Sequence, residues 1–147
     1  MPANRVPDAM APAELRPTQL YLNAGKLAAV LERVDGSDGG NGGDGDETAF
    51  DPGPLPVYEF DGDLHLTDGH TRAFVAYLAG VERVAVEYDA DLAAKHDLAL
   101  YRECVDWCDE AGVERVPDLA GRVLAPDAYE REWIDRCHRT AERLENS

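Results

Sequence analysis

The chain has 147 residues, 44% of them hydrophobic, and a formal net charge of −16 from 14 Lys+Arg against 30 Asp+Glu. That length fits one domain with a real hydrophobic core, and the apolar content excludes a globally disordered chain. Sequence-independent nucleic-acid binding needs clustered Lys and Arg to neutralise phosphates, and no basic block exists here, so no strong nucleic-acid partner is expected.

Only two of the basic residues are lysines, Lys26 and Lys95. An acidic, lysine-poor surface stays hydrated in molar salt, where repulsion between like charges is screened. The chain therefore reads as salt-adapted, with an ordinary acidic protein as the alternative. It has no apolar stretch long enough to span a bilayer, and Met1–Arg5 leads into no signal-type apolar run, so no membrane partner is expected. Three cysteines, Cys104, Cys108 and Cys137, leave at least one thiol unpaired, which suits a reducing cytoplasm.

Residues 1–12 hold three prolines and little periodicity, and they read as a flexible arm before one domain at 13–147. Asn23 caps a predicted helix carrying Leu27, Val30, Leu31 and Val34, which ends at Asp35-Gly36. A glycine-rich loop over 35–52 follows, with six glycines between Gly36 and Gly45. A calcium-binding Gly-Asp repeat is the alternative there, against which stand its irregular register and single copy.

Leu55–Phe60 and Leu64–Thr67 flank Asp61-Gly62-Asp63, a hairpin signal. The second strand runs into Asp68-Gly69 and then a helix with Ala73, Phe74, Ala76, Tyr77 and Leu78, ended by Gly80 as a C′ residue. Val84–Tyr88 is a third strand, and strand–helix–strand implies a crossover. A helical extension occupies 91–147. It begins with a long helix from Asp91 or Asp97 to Ala111, stopped at Gly112. A short turn near Pro117–Gly121 follows, and a last helix from Pro126-Asp127 carries Tyr129, Trp133, Ile134 and Cys137. The expected fold is α+β: a small mixed sheet, a helix after the turn, and C-terminal helices.

The chemistry concentrates in Asp68-Gly69-His70-Thr71-Arg72, where a strand ends and a helix begins. Helix N-termini expose unpaired N–H groups and a positive dipole end that favour anions. Gly69 lets the backbone turn sharply, Thr71 offers a hydroxyl, and Arg72 a forked guanidinium matched to phosphate oxygens. Asp68 is placed to orient a substrate hydroxyl or coordinate Mg²⁺, and His70 to act as acid, base or phosphate ligand. The same residues also read as an Asp68 N-cap followed by a solvated arginine.

Leu-x-Leu-Thr-Asp-Gly-His-Thr-Arg-Ala-x-x-Ala over Leu64–Ala76, followed by Gly80-Val81 and the apolar Val84–Val86, resembles the ParB/sulfiredoxin-like superfamily over about residues 13–89. In that superfamily a Gly-x-x-Arg turn holds nucleotide phosphates, which implies that role for Gly69, His70, Thr71 and Arg72. The segment Leu15–Tyr21 and the tryptophan-bearing C-terminal helices resemble a small branch of it with no assigned reaction. Sulfiredoxins carry Gly-Cys-His-Arg, with the cysteine doing the chemistry; His70 stands there instead, which argues against that activity. Chromosome-partitioning members continue into a basic helix-turn-helix, whereas the later segment here is acidic and short. The turn is most similar to that of the archaeal free-serine kinases, whose catalytic glutamate has no placed equivalent among Glu14, Glu32 and Glu59.

The resemblance implies a nucleotide (ATP, ADP or CTP) with Mg²⁺ and a phosphoryl transfer to a small hydroxylated substrate. Asp68 and His70 would be catalytic, Asp68 would also hold the metal, and Gly69 to Arg72 would hold phosphates. A regulatory binding module without turnover is the alternative. Cys104, Cys108, Cys137 and His138 form a possible Cys/His metal set, but the cysteines share faces with Leu100, Tyr101, Val105 and Ile134 and read as core. Trp107 and Trp133 read as core, His65 and His96 as surface residues. The oligomeric state stays open.

The acidic surface carries a direct expectation: the melting temperature rises as salt goes from low to molar concentration, read by a thermal melt in a salt series. A flat or falling series would overturn the salt-adaptation reading.

Overall fold

A computed structural model describes residues 6–41, 51–94 and 98–145. The chain order opens with strand β1 (Ala9–Met10), a 3₁₀ turn (Pro12–Glu14), strand β2 (Leu22–Asn23) and helix α1 (Ala24–Asn41). The hairpin β3 (Leu55–Phe60) and β4 (Asp63–Leu66) leads into α2 (His70–Leu78) and β5 (Val84–Tyr88). Then come α3 (Ala90–Ala94), α4 (Leu98–Ala111), a 3₁₀ segment (Val116–Gly121), β6 (Val123–Leu124), α5 (Pro126–Tyr129), a π turn (Glu130–Ile134) and α6 (Asp135–Glu145).

The main sheet is mixed, in the order β1-β5-β3-β4, with β3 parallel to β5 and the other pairs antiparallel. This is the expected α+β architecture. Two turns make it. Asp61 (φ 56) and Gly62 (φ 90) both take positive φ, the pair a two-residue type I′ hairpin demands, and Phe60 pairs with Asp63 across it. At the far end of α2, the Gly80 N–H donates to the Tyr77 carbonyl and the Val81 N–H to the Ala76 carbonyl, a Schellman stop with Gly80 at φ 79. α2 thereby carries the chain from edge strand β4 across to β5, whose parallel neighbour is β3.

Alternation along β5 buries Val84 and Val86 and exposes Ala85 and Glu87, as expected of a sheet with one packed face. Leu55, Val57 and Leu66 meet Ala73, Phe74, Val75 and Ala76 of α2 in one core that extends to Cys104, Cys108, Leu119, Tyr129 and Trp133. Trp107 and Trp133 make an edge-to-face pair at 5.7 Å, and the Arg136 guanidinium lies 4.0 Å over the Trp107 ring. Among the described residues no helix is long and apolar enough to cross a membrane.

Three expectations are corrected. Residues 9–10 do not fray: Ala9 pairs with Ala85 and Met10 with Val84, so the proline-flanked segment supplies an edge strand. Helix α1 continues to Asn41 rather than ending at Asp35-Gly36. Each interior glycine weakens a helix by about 1 kcal/mol relative to alanine without removing a backbone hydrogen bond, so it taxes propagation rather than forbidding it. Residues 42–50 of the glycine-rich stretch lie outside the described residues, and with them part of the Gly-Asp repeat. His65 is buried rather than a surface residue, its Nδ1 within 3.0 Å of the Asp63 carbonyl oxygen. The short pairing of β2 with β6 has no counterpart in the sequence reading. Asn23 is a cap as expected, its Oδ1 accepting from the Gly25 N–H at 2.8 Å. His96 lies outside the described residues.

Candidate functional site

The strand end at Thr67 is held on three sides. Its N–H donates to the Pro56 carbonyl at 3.0 Å, its hydroxyl donates to the Asp89 carboxylate at 2.5 Å, and its carbonyl accepts from the Tyr101 hydroxyl at 3.2 Å. From this fixed point Asp68 and Gly69 make the turn. Gly69, at φ 76, is the residue that caps α2, and its N–H donates to Asp68 Oδ1 at 2.8 Å. Asp68 is thus not the N-cap but an exposed carboxylate one residue earlier, with one oxygen engaged by the turn.

Gly69 is required twice over. Its φ belongs to the left-handed region, and a Cβ there would lie 2.8 Å from both Arg72 Nη2 and Leu55 Cδ2. The Arg72 guanidinium therefore lies against the turn. Its Nη1 donates to the Pro52 carbonyl at 2.9 Å, and no ion pair holds it among the described residues. The N–H groups of His70, Thr71 and Arg72, in the first turn of α2, have no intrahelical acceptor.

His70 departs from the sequence reading. Its side chain is 3% exposed, and Nε2 accepts the Thr18 N–H at 2.9 Å while the Thr18 hydroxyl donates to the Leu66 carbonyl at 2.8 Å. Burial pushes its pKa down to about 3, against a smaller upward pull from Asp68. The ring is thus a neutral pin between the 15–20 segment and the helix start, which argues against its use as a titrating acid or base. With Nε2 accepting, the proton of the neutral ring sits on Nδ1, and that buried atom has no partner among the described residues.

Around the turn lies a cleft of about 250 Å³. Its lining joins Asp68 to Arg72 with Lys26, Ala29, Val30 and Arg33 of α1, together with Gln19 and Tyr129. The structure brings together all five residues singled out from the sequence and adds cations from α1. Gln19 donates to the Tyr129 hydroxyl at 3.2 Å and to the Tyr21 carbonyl at 2.8 Å, leaving its amide oxygen toward other partners. Burial raises the Tyr129 phenol to about 12, so it keeps its proton. None of Glu14, Glu32 and Glu59 lines the cleft.

Asp68 also borders a second hollow, of about 510 Å³, with Glu87, Asp89 and Asp91 in its wall. Asp89 is committed there, taking the Thr67 hydroxyl on Oδ2 and the Leu92 N–H on Oδ1. Among the described residues no group of three or more His, Cys, Asp or Glu side chains is arranged to hold a metal ion. The cysteines pack as core: Cys104 and Cys108 are buried, burial raises the Cys108 thiol to about 12, and Cys104 is hydrogen-bonded with Cys137, whose thiol is thereby drawn down. His138 is exposed on α6.

Comparison of the chain with family models, with curated proteins and with solved structures finds no match.

Two expectations follow. Gly80→Ala and Gly69→Ala impose the same left-handed strain, worth about 1–2 kcal/mol, but a Cβ on Gly80 meets nothing within 4 Å whereas one on Gly69 meets Arg72 and Leu55. Chemical denaturation should therefore show the larger loss for Gly69→Ala; equal losses would mean that the turn tolerates the added atom. The second concerns acid. His70 takes up a proton near its ordinary 6.5 when unfolded but only near about 3 when folded, so the unfolded state binds more protons between those values. Its contribution is complete above pH 6.5 and is lost as pH falls toward about 3, at about 1.4 kcal/mol per pH unit. His65, lowered chiefly by burial, acts in the same direction. His70→Gln, which keeps an acceptor for Thr18, should flatten the stability–pH slope in this window; an unchanged slope would show that the ring is not protonated on unfolding.

Proposed function

We propose that the chain is a nucleotide- and phosphate-binding protein of the ParB/sulfiredoxin-like kind, whose ligand phosphates sit where α2 begins. The observation that carries this reading is the charge of one cleft. In a chain of net charge −16 with two lysines, the described residues of the lining include Lys26, Arg33 and Arg72 against the single carboxylate Asp68. Cations gathered beside a helix N-terminus suit phosphate oxygens, with Arg72 giving a forked donor and the first-turn N–H groups completing the cradle. The family reading rests on the sequence pattern of Leu64–Ala76 and Gly80–Val86, with Leu15–Tyr21 beside it.

Phosphoryl transfer to a small hydroxylated metabolite is the reaction this cleft fits, because it asks chiefly for positioning and charge neutralisation. Asp68 is the group able to accept the proton of an attacking hydroxyl. It is also the carboxylate that the described lining offers to Mg²⁺, which commonly takes one or two carboxylates together with substrate phosphates and water. Bound there, Mg²⁺ would neutralise charge on the phosphates. His70 serves this site as a support for the turn and through its backbone N–H. The second reading, a regulatory binding module without turnover, is favoured by the buried His70 ring and by the lack of a glutamate among the described residues of the cleft. The unpaired thiols suit a reducing cytoplasm for either.

Arg72→Ala should lower nucleotide affinity at least tenfold while the fold persists, measured by calorimetry with ATP, ADP and CTP in Mg²⁺ and by a parallel melt. Wild-type affinity in this variant would overturn the cradle. Asp68→Asn should slow phosphoryl transfer, assayed with free serine and other small alcohols, far more than it weakens nucleotide binding. Binding without product for any acceptor would decide for the regulatory module.

A further inference from the structure

The cleft is small, about 250 Å³, below the roughly 300–1,000 Å³ of pockets that enclose drug-sized ligands. It suits the phosphorylated end of a ligand rather than a whole nucleotide. What lines it indicates which end. Lys26, exposed in the first turn of α1, and Arg72, half-buried on α2, reach it from different helices, and neither has an ion-pair partner among the described residues. A monoanion such as a carboxylate or phosphodiester would neutralise only one of them. A second, independent feature of the same lining points to an acceptor-rich ligand. His70 is one of the lining residues, and its ring holds a buried Nδ1 that no described residue satisfies; in the tautomer imposed by Thr18 that atom is a donor. Leaving a buried donor without an acceptor costs about 1–3 kcal/mol, and a phosphoryl oxygen is an acceptor.

We propose that this cleft selects a dianionic terminal phosphoryl group, and that Lys26 together with Arg72 sets the selection. The proposal rests on the anion-binding reading above and narrows it: a phosphate monoester or the terminal phosphate of a nucleotide binds, and a singly charged oxyanion of the same shape does not. Lys26 then has a role that no turn motif assigns to it.

The groups facing the ligand are Lys26 and Arg33 of α1, Asp68, the His70 ring, Arg72, and the Tyr129 phenol of α5. Between pH 5.5 and 8 His70 stays neutral and Tyr129 keeps its proton. The Asp68→Asn variant, titrated alongside, removes the carboxylate of the lining. The remaining pH dependence belongs to the ligand, whose second ionisation falls near a pKa of about 6.

The test compares methyl phosphate with methyl sulfate, its permanently singly charged analogue, by calorimetry at constant ionic strength. At pH 8 methyl phosphate should bind at least tenfold more tightly, and its affinity should fall as pH drops below about 6 while that of methyl sulfate holds. Lys26→Gln should erase the preference without lowering the melting temperature, Lys26→Arg should keep it, and Arg139→Gln, a charge removed from the exposed face of α6, should leave it unchanged. ATP and ADP titrated in the same series separate a nucleotide's terminal phosphate from a simple monoester as the source of the group. Equal affinity for methyl phosphate and methyl sulfate at pH 8, or a preference that survives Lys26→Gln, would overturn dianion selection while leaving anion binding intact. No binding of either probe or of nucleotide would overturn both.

Discussion

The contact between Thr18 and His70 is the constraint on which the rest of this molecule turns. One residue of an otherwise irregular segment donates its N–H to the imidazole and its hydroxyl to the Leu66 carbonyl. It thereby ties the chain before α1, the end of β4 and the first residue of α2 at a single buried point. The neighbouring Arg16 carbonyl accepts the Leu66 N–H at 2.7 Å, and the Leu15 carbonyl accepts that of Val116 at 2.9 Å. Through this segment the N-terminal part of the chain is fastened both to the sheet edge and to the C-terminal helices. α1, which supplies Lys26, follows directly from it. Without that fastening the cations of α1 have no fixed relation to the turn, and the cleft loses one wall.

A buried neutral histidine at the start of a helix is an unusual way to achieve this. Its ring offers an acceptor where the Thr18 N–H needs one, and burial removes any competing protonation across the physiological range. The arrangement leaves Nδ1 without a partner among the described residues.

Local chemistry was legible in the sequence wherever a feature depends on a few consecutive residues. Asp61-Gly62 sets the hairpin, Gly80 stops α2 and Asn23 starts α1, each through backbone geometry that its own side chain or lack of one dictates. The Asp68–Arg72 turn was legible for the same reason. What the sequence reading missed is tertiary. Gln19, Lys26, Arg33 and Tyr129 enter the cleft because the helices and segments bearing them converge on the turn, and nothing in their own neighbourhoods marks that convergence. The rarity of lysine in this chain was the one available signal for Lys26. His65 was misread because polarity suggests exposure, whereas it finds a backbone partner inside; for His70 the residues of the turn gave no sign that its ring would be buried against Thr18. The edge strand at Ala9–Met10 was hidden by flanking prolines, which sheet edges tolerate.

The placement of the cleft's cations within so acidic a molecule has a kinetic consequence. An anionic ligand approaching from afar meets a repelling field, and attraction begins only within reach of Lys26 and Arg72. At low ionic strength that outer field extends about 30 Å, whereas at molar salt it shrinks to about 3 Å. Salt therefore strips away the long-range barrier before it weakens contacts made at hydrogen-bond distance. If the cleft takes an anion as proposed, the crowded ionic medium that dulls electrostatic steering for most proteins would act here as the condition that opens the approach, with the doorway itself gated by the composition of the surrounding water.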